Sequence, residues 1–235
     1  MLSALVWGAL AAVSLTVGAL LALLRDWRSG IIGAVMAFGA GALISSVAFE
    51  LAQEGLRLGG PVSVAIGLAV GAIAFFVADR AVSHIGGRSG GGSAGLPLAL
   101  GSLLDGIPEQ AVLGIGLATG KGVSVALLVA IFISNLPEAI GSASDMRNSG
   151  KSRKDVLTLW LVVTVLCALA TVGGYLVAQL VGGDVKAAVD GFAAGALLVM
   201  LTDSMIPEAK EKVGNRAGLV TVLGFAVAAG LSNLT

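Results

Sequence analysis

Glu109 and Glu138 of this 235-residue chain each stand directly behind a proline, with an oxygen-bearing residue four positions earlier. "DGIPEQ" (105–110) holds Asp105 and Glu109, and "SNLPEA" (134–139) holds Ser134 and Glu138. Residues i and i+4 share one helix face, so on helices each segment aims a pair of oxygen donors in one direction. Pro108 and Pro137 lack the N–H that would bond the carbonyl four residues back, which frees the oxygens of Leu104 and Ile133 and kinks the helix. Asn135 adds a side-chain amide beside Ser134. Such a set could bind a cation or carry protons.

Both segments lie in apolar sequence. Hydrophobic residues make up 57% of the chain and charged residues 12%, against about 25% charged in a soluble domain, so the chain reads as a membrane protein. A lone acid at mid-bilayer costs about 2.5–3.5 kcal/mol. Asp105, Glu109 and Glu138 left alone would cost on the order of 8–10 kcal/mol, and no Lys, Arg or His lies in the apolar part of a span to neutralise them. They are therefore protonated or share a cation, and acids at that depth mark ion or proton pathways. Glu50 and Glu54, one turn apart near one end of a span, and Asp203 and Glu208, near the end of another, read as vestibule carboxylates at two mouths. Ser45, Ser46, Thr202 and Ser204 would hydrate the route between them. Asp203, further into its span, is the strongest of these four acids.

The elements that must position these groups are helices of about 20 residues, the length a bilayer core requires. Clusters of charge, Gly and Pro divide the chain into eight such spans, about 2–24, 31–53, 61–82, 94–118, 122–144, 156–181, 187–206 and 215–233. The expectation is an all-α membrane protein with a single polytopic domain over 1–235, its first span retained rather than removed as a signal peptide. The odd-numbered loops carry eleven Lys and Arg and the even-numbered loops carry Arg57, Lys121 and Lys186. By the positive-inside rule the odd loops are cytoplasmic and both termini lie outside. "GGRSGGGSAG" (86–95) is a flexible linker by composition.

Internal repetition is visible as well. "AGALISSVAFELAQEG" (40–55) and "AGALLVMLTDSMIPEA" (194–209) open on the same four residues, and Glu54 falls on Glu208. The two segments run in opposite directions, which makes spans one to three and six to eight an inverted pair around spans four and five, a plan frequent in transporters.

With those residues in place the chain resembles the ZIP (Zrt/Irt-like protein) metal transporters, whose fourth and fifth helices read His-Asn-x-Pro-Glu-Gly. The eight spans, outside termini and 3+2+3 inverted repeat extend the resemblance over the whole chain. It implies a carrier that moves divalent transition-metal ions into the cytoplasm by alternating access, with the ion between helices four and five. Position by position, Asp105 stands for the first His, Gly106 for Asn and Glu109 for the bridging carboxylate; Ser134 stands for His, Asn135 matches Asn and Glu138 the second carboxylate. The metal shell so implied is Asp105, Glu109, Ser134, Asn135 and Glu138. Both motif histidines are replaced, and Gln110 and Ala139 replace the glycines. A second frame, placing Gly101 and Ser102 at the His and Asn positions of helix four, stays open. Zinc is the family default, while an all-oxygen shell also admits manganese or iron. The ion is substrate, and no prosthetic group is expected.

Other classes are disfavoured. Balanced charge, with 14 basic and 14 acidic residues, makes no case for a nucleic-acid partner. "GIGLATGKG" (114–122) lacks the spacing, the hydroxyl after Lys121 and the preceding strand of a nucleotide-binding loop. No Ser/His, Cys/His or His-Glu-x-x-His arrangement points to an enzyme. His84 alone makes no metal site, and Cys167 alone makes neither a disulfide nor a metal site. Spacings such as "GLAVG" (67–71) and "GFAAG" (191–195) fit close helix contacts, a homodimer's among them. A proton- or alkali-cation-coupled carrier and a metal sensor that no longer transports remain the alternatives. The expected location is the cytoplasmic membrane of a bacterium or archaeon.

Overall fold

A computed structural model describes residues 1–88, 95–118 and 123–232, and among them every regular element is helical. The helices are α1 (Leu2–Leu24), α2 (Ser29–Ser46), α3 (Gln53–Arg88), α4 (Gly95–Ala118), α5 (Val125–Asn148), α6 (Arg153–Leu180), α7 (Gly183–Met200), α8 (Ile206–Val213) and α9 (Arg216–Ser232). Two π-helical turns, Val47–Ala52 and Leu201–Met205, join α2 to α3 and α7 to α8 without a break. Most of the flexible linker, and "TGKG" with Lys121, fall outside the described residues.

Among the described residues, five helical stretches are long and apolar enough to cross a membrane, and α9 is apolar but shorter. One of the five, Ser29–His84, covers two of the spans expected from sequence in 56 residues. At 1.5 Å per residue it would reach about 84 Å as one straight rod, far beyond a hydrocarbon core of about 30 Å. It is not one rod. Gly60 has φ 75° and ψ −179°, a conformation only glycine adopts without strain, and Pro61 then starts the next helical run, where its missing N–H costs nothing. The expected loop at 54–61 is thus helical apart from one residue. The expected seventh span is longer at both ends, running on through the π turn and Pro207 to Val213.

Small residues form the interior. On α1, Ala4, Ala11, Ala12, Ala19 and Ala22 are fully buried. The opposite kind of surface is seen on α6, where Leu161, Val162, Val165, Leu166 and Leu169 are exposed, as suits a face turned to lipid. Without a hydrophobic drive between helices in lipid, association depends on close backbone approach through small residues. Gly41 of α2 lies against the Thr221 carbonyl of α9, and Gly195 of α7 against the Leu68 carbonyl of α3. Gly224 of α9 lies against the Phe38 carbonyl of α2, and Gly71 of α3 against the Phe192 carbonyl of α7. In the register that sets Ala40 on Ala194, Phe38 falls on Phe192, Gly41 on Gly195, and the first π-turn residue Val47 on Leu201.

The helices bearing the Pro-Glu motifs sit between these pairs. α4 packs on α6, and α5 packs on α1 and α2. Thr171 donates a 2.6 Å hydrogen bond to Gln110, tying α6 to α4, and Thr16 and Thr164 bond at 2.7 Å between α1 and α6. At the far end of α5, Arg147 donates to the Ala22 carbonyl at 2.7 Å and pairs with Asp26, a cation placed on the open carbonyls that end α1.

Candidate functional site

Both Pro-Glu motifs lie inside continuous helices, Pro108 in α4 and Pro137 in α5. Their i, i+4 pairs meet: Asp105 and Glu109 of α4 and Ser134 and Glu138 of α5 line one cavity of about 30 Å³. Glu109 is only 1% exposed. Its carboxylate accepts from the Ser134 hydroxyl, at 3.1 Å to Oε1 and 3.3 Å to Oε2. The same hydroxyl lies 3.0 Å from the Ile131 carbonyl, so its one proton is divided among three acceptors and most of the acceptor capacity of Glu109 is left unused. Ser102, buried one turn before Asp105 on the helix, is a hydrogen-bond neighbour of Glu138. It belongs to the alternative frame of helix four, and both frames therefore contribute a residue here.

The rest of this cavity comes from α2 and from α7 with its π turn: Met36, Met200, Ser204, Met205 and Glu208. Residues 200, 204 and 208 follow helical spacing, but 205 would point well away from 200 on a regular α-helix. The π turn, closed by i→i+5 bonds, brings Met205 back onto the same face. It also turns Asp203 away. Asp203 is exposed and lines neither cavity, whereas Glu208 lines this one and pairs with Lys212 at 3.3 Å. Asn135 is buried but is absent from the lining, and its Nδ2 has no hydrogen-bond partner. One position beyond Ser134 lies about 100° around the helix. Among the described residues, no three His, Cys, Asp or Glu side chains stand ready to hold a metal ion as a set. The carboxylates share a cavity without forming a finished coordination sphere.

A wider cavity of about 330 Å³ opens at the other end of α4, beside the start of α5. Glu50, Leu51 and Glu54 line it from the first π turn and the start of α3, with Ser124 from the cap of α5. In the repeat register these three positions are those of Ser204, Met205 and Glu208 in the narrow cavity. Glu54 forms a 2.6 Å ion pair with Arg57. Glu50 keeps one buried carboxylate oxygen without a partner.

The wide cavity also holds Asp190 of α7, which sequence reasoning missed. Asp190 is 3% exposed. Its signal was present, since an acid inside an apolar stretch of small residues is subject to the same insertion cost that singled out Asp105. Cys167 is buried in α6 against Gly106, and His84, which the expected third span of 61–82 leaves to a loop, is exposed on α3.

Long apolar helices with lipid-type outer faces and acids gathered inside define an integral membrane protein. Over 119 residues, 48% of the chain, it is 27% identical to the proteins named zinc transporter SLC39A7 of Homo sapiens and of Pongo abelii, and 26% identical to that of Canis lupus familiaris. The matched stretch spans 25% of the length of each of these relatives. No family model matches the chain.

Proposed function

We propose that this protein is a ZIP-type carrier that moves divalent transition-metal ions into the cytoplasm by alternating access. The single observation that carries the reading is the narrow cavity, where Asp105, Glu109 and Glu138 converge from two helices at membrane depth and Glu109 is met by one hydroxyl. Buried carboxylates without cationic partners bind a cation or a proton. The distant similarity to proteins named as zinc transporters favours the metal ion, with zinc first and manganese or iron next.

The architecture that goes with this reading has eight spans, the second and third divided at Gly60, in a 3+2+3 inverted repeat with both termini outside. Three observations support it: glycine contacts that pair α2 with α9 as α7 pairs with α3, π turns beginning at the same register, and two cavities lined from equivalent positions. In such a carrier the wide cavity is the outer mouth, with Glu50, Glu54 and Asp190, and the narrow cavity leads from the ion site to the inner mouth at Glu208. Access alternates when one mouth widens as the other narrows. Asp105, Glu109, Ser134 and Glu138 hold the ion; Asn135 reaches it only if α5 rotates. The membrane is the bacterial or archaeal cytoplasmic membrane, and the partners are the ion, the bilayer and, through small-residue faces, a second copy of the chain.

The test is uptake of Zn²⁺, Mn²⁺, Fe²⁺, Cd²⁺ and Mg²⁺ into proteoliposomes, with Glu109→Ala and Glu138→Ala beside the wild type. Saturable flux that both substitutions abolish is expected. Flux at the empty-liposome level for every ion, from folded protein, would reassign the cluster to protons or to sensing.

A further inference from the structure

We infer that Lys212 is the release residue of the inner mouth: its ammonium competes with the departing ion for Glu208 and so keeps that carboxylate from holding the cargo. This rests on the transport reading of the narrow cavity and concerns a later step, after the ion has left Asp105, Glu109 and Glu138.

Glu208 is the one acid of α8 that lines the narrow cavity. Its side chain is 45% exposed, whereas Glu109 in the same cavity is 1% exposed, so an ion leaving the buried acids for water passes Glu208 on the way. A bare carboxylate there would detain a divalent cation by close-range attraction. Lys212 stands one turn further on with its ammonium 3.3 Å from that carboxylate, and the departing ion meets an acid already neutralised.

A Glu–Lys pair at i, i+4 near a helix C-terminus is also an ordinary helix stabiliser. Two observations go beyond that role. The first is that Lys212 is seated by another helix. Its Cβ lies against Gly33 of α2, beside Val213, so closely that a side chain at position 33 would collide with it. The lysine side chain is 24% exposed, less than its partner, and with its stem fixed on α2 the ammonium is held at the mouth. The second observation is that the outer mouth has the same pairing built differently. Glu54 is the repeat equivalent of Glu208 and pairs with Arg57 at 2.6 Å. The equivalent of Arg57 is Glu211, and the equivalent of Lys212 is Leu58. A cation thus reaches the equivalent acid from i+3 in one half and from i+4 in the other, which copying one half into the other does not produce. What the two mouths share is the neutralised carboxylate.

Competition of this kind speeds release. Without the ammonium, Glu208 holds the ion longer. A slower exit lowers the maximal rate and the half-saturating concentration by the same factor, because entry is untouched. The factor is about threefold, that of an ion pair at a partly exposed surface.

The experiment measures Zn²⁺ uptake into proteoliposomes for the wild type, Lys212→Gln, Lys212→Arg and Lys210→Gln. Lys210 is exposed in the same last turn of α8 and lies off the Glu208 face, so it reports the effect of helix-end charge. Lys212→Gln is expected to lower both constants about threefold with their ratio unchanged, while Lys212→Arg and Lys210→Gln keep the wild-type values. Unchanged constants in Lys212→Gln, a fall in its maximal rate alone, or an equal effect of Lys210→Gln overturns the inference. Equilibrium binding of Zn²⁺ to the detergent-solubilised proteins needs no transport, and there Lys212→Gln should bind about threefold more tightly than the wild type. If the wild type moves no ion, the carrier reading fails; tighter binding by Lys212→Gln then still supports competition at Glu208, and equal affinity overturns it.

Discussion

Glu109→Gln separates a structural acid from an ion-binding one, because the two roles move thermal stability in different ways. Glu109 is 1% exposed and its one hydrogen-bond donor is Ser134. An acid inside the membrane costs about 2.5–3.5 kcal/mol, and one hydrogen bond to a charged group returns about 1.5–3 kcal/mol. The amide keeps the shape and removes the charge, so the ion-free variant gains roughly 1 kcal/mol by this reckoning. For a chain of this size each kcal/mol moves the melting temperature by about 2–4 °C, and the ion-free variant should melt that much higher. The order reverses with the ion. At a hundred times its Kd, a ligand stabilises the wild type by about 2.7 kcal/mol, a rise of roughly 5–11 °C. Loss of a ligating carboxylate that weakens binding about a hundredfold, the upper range for disturbed metal sites, leaves the variant near half saturation, with a rise of only about 1–2 °C. Tryptophan fluorescence of detergent-solubilised protein reads both melts, since Trp160 is buried in α6. An equal ion-induced rise in both proteins, or an ion-free variant that melts well below the wild type, would refute the reasoning and make Glu109 a structural hydrogen-bonding group.

Two further outcomes follow from the remaining geometry. Asp190→Asn, in the wide cavity, should raise the ion concentration for half-maximal uptake about tenfold, within the range by which charged clefts concentrate counter-ions, and leave the maximal rate unchanged; an unaltered half-saturation removes Asp190 from the entry route. Topology can be read with cysteine labels because Cys167 is buried and gives no background. Asn148→Cys should react with an impermeant maleimide only from the cytoplasmic side and Val185→Cys only from outside, and labelling on the opposite sides would invert the orientation drawn from the Lys and Arg distribution.

The membrane class, the helical architecture and the motif pair were legible in the sequence because each is a local property. Apolar run length decides whether a helix can span, and i, i+4 spacing decides which side chains share a face. Asp105, Glu109, Ser134 and Glu138 could be grouped on that ground. The same reasoning applied the insertion cost to Asp105, Glu109 and Glu138 and passed over Asp190, and it counted turns at 3.6 residues through Leu201–Met205, a segment that folds as a π turn and leaves Asp203 off the lining of both cavities. It also read 54–61 as a loop, where a single left-handed glycine suffices to separate two helical runs. Only the tertiary structure decided that three methionines far apart in the chain share a cavity with those acids, that Ser102 stands beside Glu138, and that Asn135 does not line the cavity. Periodicity says which residues lie together on one helix. Which helix comes to face them depends on close glycine contacts and crossing geometry, and those are set between segments the sequence keeps apart.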